Sequence, residues 1–143
     1  MRTVKDIFNR KGFVSFSVAP ETKVIEALRL MSQHNIGSVI VMQQGEFRGL
    51  LTERDYARKI ILEGKASADT SVKDIMTTDL PSISLQHKID ECMQIMIKKN
   101  IRYLPVFEDN QFRGIISMYD VITETIEMQK ETISQLQNYI HSA

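Results

Sequence analysis

The feature that most constrains this chain is a repeat. Gly49 to Tyr56 reads G-L-L-T-E-R-D-Y, and Gly114 to Val121 reads G-I-I-S-M-Y-D-V, a step of 65 residues from Thr52 to Ser117. The same step aligns Lys23 with Lys88, Met31 with Met96, Asn35 with Asn100, Ile36 with Ile101, Val41 with Val106, and Phe47 to Gly49 with Phe112 to Gly114, all without a gap. Whatever the fold, it is built twice.

In each copy an apolar pair, Leu50-Leu51 or Ile115-Ile116, runs into a short hydroxyl, Thr52 or Ser117, with Asp55 or Asp120 three residues on. That pattern is a strand stopping at a helix start: the hydroxyl suits the N-cap, and the carboxylate at the third helical position faces the helix dipole favourably. Capping alone accounts for these residues. A helix start also offers free N–H groups to an anion, and a carboxylate accepts from two vicinal hydroxyls, so a ribose phosphate would satisfy both. Arg54 and Arg58 lie one helical turn apart and would reach an anion there.

The remaining elements follow in order. V-K-D-I opens the chain at Val4 and recurs at Val72, a short helical turn each time. Phe13 to Val18 and Ser82 to Leu85 read as short strands. Helical spacing of Val24, Ala27, Leu28 and Met31 predicts a helix from Thr22 to His34; Ile89, Cys92, Met93, Met96 and Ile97 predict its partner from Lys88 to Lys99. Hairpins follow, Ser38 to Met42 and Phe47 to Leu51 about Gln44-Gly45, then Tyr103 to Phe107 and Phe112 to Ile116 about Asp109-Asn110. These strands are too apolar for a wet face, so helices must cover them.

The fold class is α+β: two β-α-β-β-α repeats with short mixed sheets under helices, and an extended C-terminal helix. Along the chain this gives a first motif at 1–63, a linker at 64–71, a second motif at 72–125 and a helical extension at 126–143. Running into the extension, Ile122, Ile126, Gln129, Ile133, Leu136 and Ile140 alternate by four and three, a heptad seam that either folds back on its own domain or meets a partner helix in a homodimer.

Composition removes several classes of function. Eighteen basic residues balance 18 acidic ones, so nothing favours nucleic acid or a membrane surface by bulk charge. No run reaches the length of a membrane span, and Met1 to Lys11 alternates charged with apolar residues where a secretory leader would be continuously apolar; the expected compartment is the cytoplasm. The single cysteine, Cys92, cannot form an internal disulfide and reads as a buried small hydrophobe. His34, His87 and His141 fall in separate segments without metal-site spacing, so no metal is expected. There is no phosphate-binding glycine loop and no nucleophile–base set, and both Asp residues sit where ionisation is favoured, so no catalytic residue is assigned. A nucleotide-acting enzyme is the weaker alternative, and a structural scaffold with unoccupied clefts the nearer one.

V-K-D-I-M-T (Val72 to Thr77), I-R-Y-L-P-V (Ile101 to Val106), T-E-R-D-Y-A-R (Thr52 to Arg58) and the paired G-h-h-S/T-x-x-D segments carry a resemblance. Over residues 4 to 125 the chain resembles a tandem pair of cystathionine-beta-synthase (CBS) domains of the small stand-alone bacterial type. The resemblance implies motifs related by a pseudo-twofold axis, with clefts at their interface for adenine nucleotides such as AMP, ADP, ATP, NAD(H) or S-adenosylmethionine. It implies a non-catalytic regulatory sensor that dimerises and acts on a regulated protein by changing motif or dimer orientation. Carried over, it has Asp55 and Asp120 take ribose hydroxyls, with Thr52 and Ser117 nearby. Adenine would lie near Ser15 to Ser17, including Phe16, and Ile36 to Ser38, including Gly37, in one cleft. In the other it would lie near Thr77, Thr78 and Arg102 to Pro105, including Tyr103. Arg54, Arg58 and Arg102 would meet phosphate. Tyr103 stands where the family usually has His. The copies also differ at Gly37/Arg102, Ile40/Pro105, Glu53/Met118 and Arg54/Tyr119, which implies different ligands or affinities, the Arg54 side suiting a longer phosphate chain.

Overall fold

The computed structural model describes residues 1–13 and 15–142. Its elements in order are α1 (Val4–Lys11), β1 (Ser17–Val18), α2 (Val24–His34), β2 (Ser38–Gln43), β3 (Glu46–Thr52), α3 (Glu53–Tyr56), α4 (Ile89–Lys99), β4 (Tyr103–Glu108), β5 (Gln111–Ser117) and α5 (Met118–Ser142). A π-helical turn, Ala57–Ile61, continues α3, and a short 3₁₀ turn covers Val72–Asp74. The class is α+β, as the periodicities require.

The chain divides into two compact units, and these are out of step with the sequence repeat. A central unit holds Val14–Leu80; a terminal unit joins Met1–Phe13 to Pro81–Ala143. The V-K-D-I opener at Val4 therefore belongs with the second hairpin, and the opener at Val72 with the first.

In the central unit β1 runs parallel to β2, with Ser17 opposite Ile40, and β2 runs antiparallel to β3, so the sheet is mixed. The turn residues Gln44 and Gly45 both have positive φ, 51° and 78°. A two-residue turn of that kind matches the right-handed twist of the strands it joins. Val24, Ala27 and Met31 of α2 bury against Val39, Val41 and Leu51 of the sheet, with Ile60, Val72 and Ile75 completing the core. Thr77 adds to the edge of β3, its N–H donating to Leu50 O at 2.8 Å and its carbonyl accepting from Leu50 N at 2.9 Å. Gly49 permits this approach: a Cβ there would stand 2.8 Å from Thr77 O and 3.2 Å from Met76 Sδ.

In the terminal unit β4 and β5 repeat the hairpin, with Tyr103 opposite Ser117 and positive φ at Asp109 and Asn110. Val4, Ile7 and Phe8 of α1 enter a core with Ile89, Cys92, Met96, Leu104, Val106, Ile116 and Val121. Phe8 meets Gly114 as Met76 meets Gly49; a Cβ on Gly114 would lie 2.8 Å from the Phe8 ring. Cys92 is fully buried, and burial first, then the nearby Glu91 and Asp90, pushes its thiol up to about 12.

Several expected boundaries move. Of the strand expected from Phe13 to Val18 only Ser17–Val18 forms, and Val14 lies outside the described residues. Ser82 to Leu85 supplies a single parallel bridge, Ile83 to Val106, instead of a strand. The second helix starts at Val24, because the Thr22 hydroxyl is held in the preceding turn by Ala19 N–H at 3.1 Å. After the matching junctions α3 runs four residues and α5 runs 25.

Candidate functional site

The two strand-to-helix junctions form as their sequence requires. At the first, Thr52 N–H donates to Asp55 Oδ2 at 3.0 Å and Asp55 N–H donates to Thr52 Oγ1 at 3.0 Å, a reciprocal capping box. At the second, Ser117 N–H donates to Asp120 Oδ2 at 2.8 Å and Asp120 N–H donates to Ser117 Oγ at 3.1 Å. Each carboxylate thus turns back onto its own helix start, and the capping role is fulfilled in full.

Two observations exceed capping. Thr3 and Asp6 make the same box at the start of α1, with Thr3 N–H 2.8 Å from Asp6 Oδ2, yet Asp6 is only half-buried. Asp55 and Asp120 retain 6% and 7% exposure. Each of these two also carries an ammonium group. Lys59 Nζ lies 3.1 Å from Asp55 Oδ1 and donates to Ile75 O at 2.9 Å. Lys11 Nζ lies 2.8 Å from Asp120 Oδ2 and donates to Ile115 O at 2.8 Å. A buried carboxylate is retained in charged form when a cation and hydrogen bonds compensate its lost hydration. Such a pair can exchange partners with a ligand that brings hydroxyl donors for the carboxylate and an anion for the ammonium.

The other expected residues distribute unevenly. Thr77 joins the first junction directly, its hydroxyl donating to Asp55 Oδ1 at 2.9 Å. Thr78 is exposed on the same segment. Arg54 is half-buried within α3, and Arg58 is exposed in the π-helical turn. Ser15 is exposed, and the Phe16 ring stacks on His34 with centroids 3.8 Å apart. Ile36 and Gly37 line a cavity of about 620 Å³ with Leu28, Met31, Glu53 and Tyr56, on whose wall Asp55 does not appear. That volume lies within the range of small-molecule pockets. In the terminal unit Arg102 is exposed, with its carbonyl accepting Met118 N–H at 2.8 Å; Tyr103 faces Ser117 across the strands, and Pro105 is buried.

Lys11, Lys59 and Glu124 were absent from the sequence-derived set. Lys59 was accessible to it, being four residues after Asp55 on the same helix. Lys11 was not, because 109 residues separate it from Asp120. Glu124, fully buried, accepts from Arg10 Nε at 2.8 Å and from Arg2 Nη1. That hydrogen bond is the largest influence holding the Arg2 guanidinium above its usual range. Among the described residues no cluster could hold a metal ion, and no helix is long and apolar enough to cross a membrane.

The CBS domain family profile matches residues 4–62 and 72–127. The chain belongs to the CBS-domain family. The CBS domain-containing protein CBSX3, mitochondrial, of Arabidopsis thaliana is 34% identical over 96% of this chain and 71% of its own length. The structure of a signal-transduction protein with CBS domains from Burkholderia ambifaria superposes with a TM-score of 0.84 at 32% identity, covering 88% of this chain and 95% of that one. The CBS pair of protein MJ0100, solved with 5-methylthioadenosine and S-adenosyl-L-methionine, shares the fold at a TM-score of 0.75 and 23% identity, over 90% of this chain and 98% of that one.

Proposed function

We propose that this CBS pair is a regulatory module sensing an adenine nucleotide (AMP, ATP or NAD(H)), with ligand engaged at the two strand-to-helix junctions. The single observation that carries the reading is the repeated carboxylate–ammonium pair, Asp55 with Lys59 and Asp120 with Lys11, each almost fully buried on its acidic side. Asp55 and Asp120 accept ribose hydroxyls beside Thr52 and Ser117, and Arg54, Arg58 and Arg102 meet phosphate. Adenine lies by Ser15, Phe16, Ile36 and Gly37, or by Thr77 and Thr78 and by Tyr103 and Pro105. The adenosine compounds bound by the MJ0100 pair support the ligand class. The module works in the cytoplasm as a homodimer and transmits binding to a regulated protein by favouring one orientation of motifs or subunits. The shift it produces is bounded by the ligand's differential affinity for the two states.

A second reading, a scaffold that binds no ligand, is favoured by one observation: Thr52, Thr77 and Lys59 already satisfy Asp55 from within the chain. Thermal melting separates the two. Under the sensor reading, AMP, ATP or NADH raises the melting temperature, the 2′-deoxy analogue raises it less, and the Asp55→Ala, Asp120→Ala double variant shows no rise. A flat response to all three ligands at millimolar concentration establishes the scaffold instead.

A further inference from the structure

Among the described residues nothing covers the exposed seam of α5. Ile126, Ile133, Leu136 and Ile140 are 46%, 55%, 58% and 69% exposed, and every residue of 129–142 is exposed. A helical segment with no contact along its apolar stripe is marginal in water, since most helical stability comes from burying that stripe. The opposite side of the helix is tied down. Glu124 and Glu131, seven residues apart and hence on one face, are both bonded by Arg2, and Glu124 also by Arg10. Ile122 and Ile126 lie two residues either side of Glu124, about 160–200° around the helix from it. The arginines of the N-terminal segment thus hold one face of α5 against its own unit and aim the seam outward.

The geometry points to a second copy of α5 as the occupant, paired parallel and in register as a two-stranded coiled coil. This deepens the homodimer reading above by naming its interface. Three features choose the partner. The a positions are Ile126, Ile133 and Ile140, and the d positions are Ile122, Gln129 and Leu136; the a isoleucines with Leu136 at the last d favour two parallel strands, and the polar Gln129 in the middle fixes the register. The flanking e and g positions, Thr123, Lys130 and Gln137 with Thr125, Thr132 and Tyr139, hold one charged residue, so identical helices meet without like charges opposed and no charge pattern selects a different partner. In a parallel pair Gln129 faces Gln129 and the two amides bond each other. An antiparallel pair would set each amide against an isoleucine, leaving it buried and unsatisfied.

The test uses the full chain. Gln129→Cys is predicted to oxidise to a covalent dimer, because facing d positions lie within disulfide reach, whereas Ser134→Cys, on the outer side of the helix, stays uncross-linked. Ile133→Glu with Leu136→Glu is predicted to weaken the dimer by about tenfold or more in sedimentation equilibrium, with the thermal transition of the compact units unchanged. A double variant that dimerises as tightly as the parent overturns the coil while leaving the homodimer standing. A parent chain that is monomeric at all concentrations overturns both. Equal cross-linking at 129 and 134, or none at 129, overturns the parallel register.

Discussion

The junctions at Asp55 and Asp120 share a capping box and a depth of burial, but they are neutralised by different means. In the central unit the cation is local: Lys59 sits four residues after Asp55 and reaches back along the helix. The equivalent position in the terminal unit, 65 residues on, is Glu124, a second acid that would repel Asp120. There the cations come from the sequence of the other copy. Lys11 pairs with Asp120, and Arg10 and Arg2 pair with Glu124, all three from the N-terminal segment. Duplicated sequence has thus diverged in how charge is balanced while the helix start stayed constant. The site with a self-contained pair can be altered locally; the other is bound to the placement of α1.

Removing Glu124 probes this contrast most strongly. Glu124→Ala removes a fully buried acid together with its bonds to Arg2 and Arg10; both guanidinium groups are partly exposed and Arg2 keeps Glu131, so the loss is about 3 kcal/mol. Lys59→Ala at the equivalent position leaves the buried Asp55 carboxylate to the hydrogen bonds of Thr52 and Thr77 and costs about 1–2 kcal/mol. Urea unfolding of both variants measures the difference; equal losses would mean that the two junctions are held alike after all.

The carboxylates themselves come next. Asp55→Ala and Asp120→Ala each lose a cap and a paired ammonium, about 1–3 kcal/mol by the same measurement. Thr77→Val sharpens the comparison because its hydroxyl donates to Asp55 and so reports on the first junction. It should cost about 1 kcal/mol and spare any response that depends on Asp120.

The last effect is nil at neutral pH and emerges only in alkali; it belongs to the terminal unit, where Cys92 takes the place that Ala27 holds in the central unit. Burial lifts the thiol from 9.0 to about 12, so the folded state keeps its proton where the unfolded chain loses it. The stability this contributes is present below pH 9.0 and declines as pH rises toward about 12, by roughly 1.4 kcal/mol per pH unit in that window. Measured as the parent minus Cys92→Ala, this slope should be seen, and Cys92 should stay inert to thiol reagents until the protein unfolds. Reaction in the native state would contradict its burial.

Much of the architecture was legible in the residues because it rests on short-range rules. Alternation and helical spacing located both hairpins and α2 and α4, and the turn pairs Gln44-Gly45 and Asp109-Asn110 adopt the positive φ that their residue types tolerate. The Thr52–Asp55 and Ser117–Asp120 boxes closed as their spacing required. What was not legible has a common cause. Ser82 to Leu85 differs little in pattern from a strand, and whether it pairs fully or through Ile83 alone depends on the neighbouring strand. The nearly whole-chain span from Lys11 to Asp120 has no local signature.

From its residues alone this protein was determined to be a doubled β-α-β-β-α chain with a capped acid at each strand-to-helix junction and a heptad stripe beyond, because caps, turns and stripes are set by neighbours a few positions apart. Only the tertiary structure decided that each V-K-D-I opener joins the hairpin of the other repeat, that one acid takes its cation locally and the other from the opposite end of the chain, and that the stripe of α5 faces outward. Those outcomes depend on which distant surfaces meet, and burial makes a charge select its partner by proximity in space instead of along the sequence.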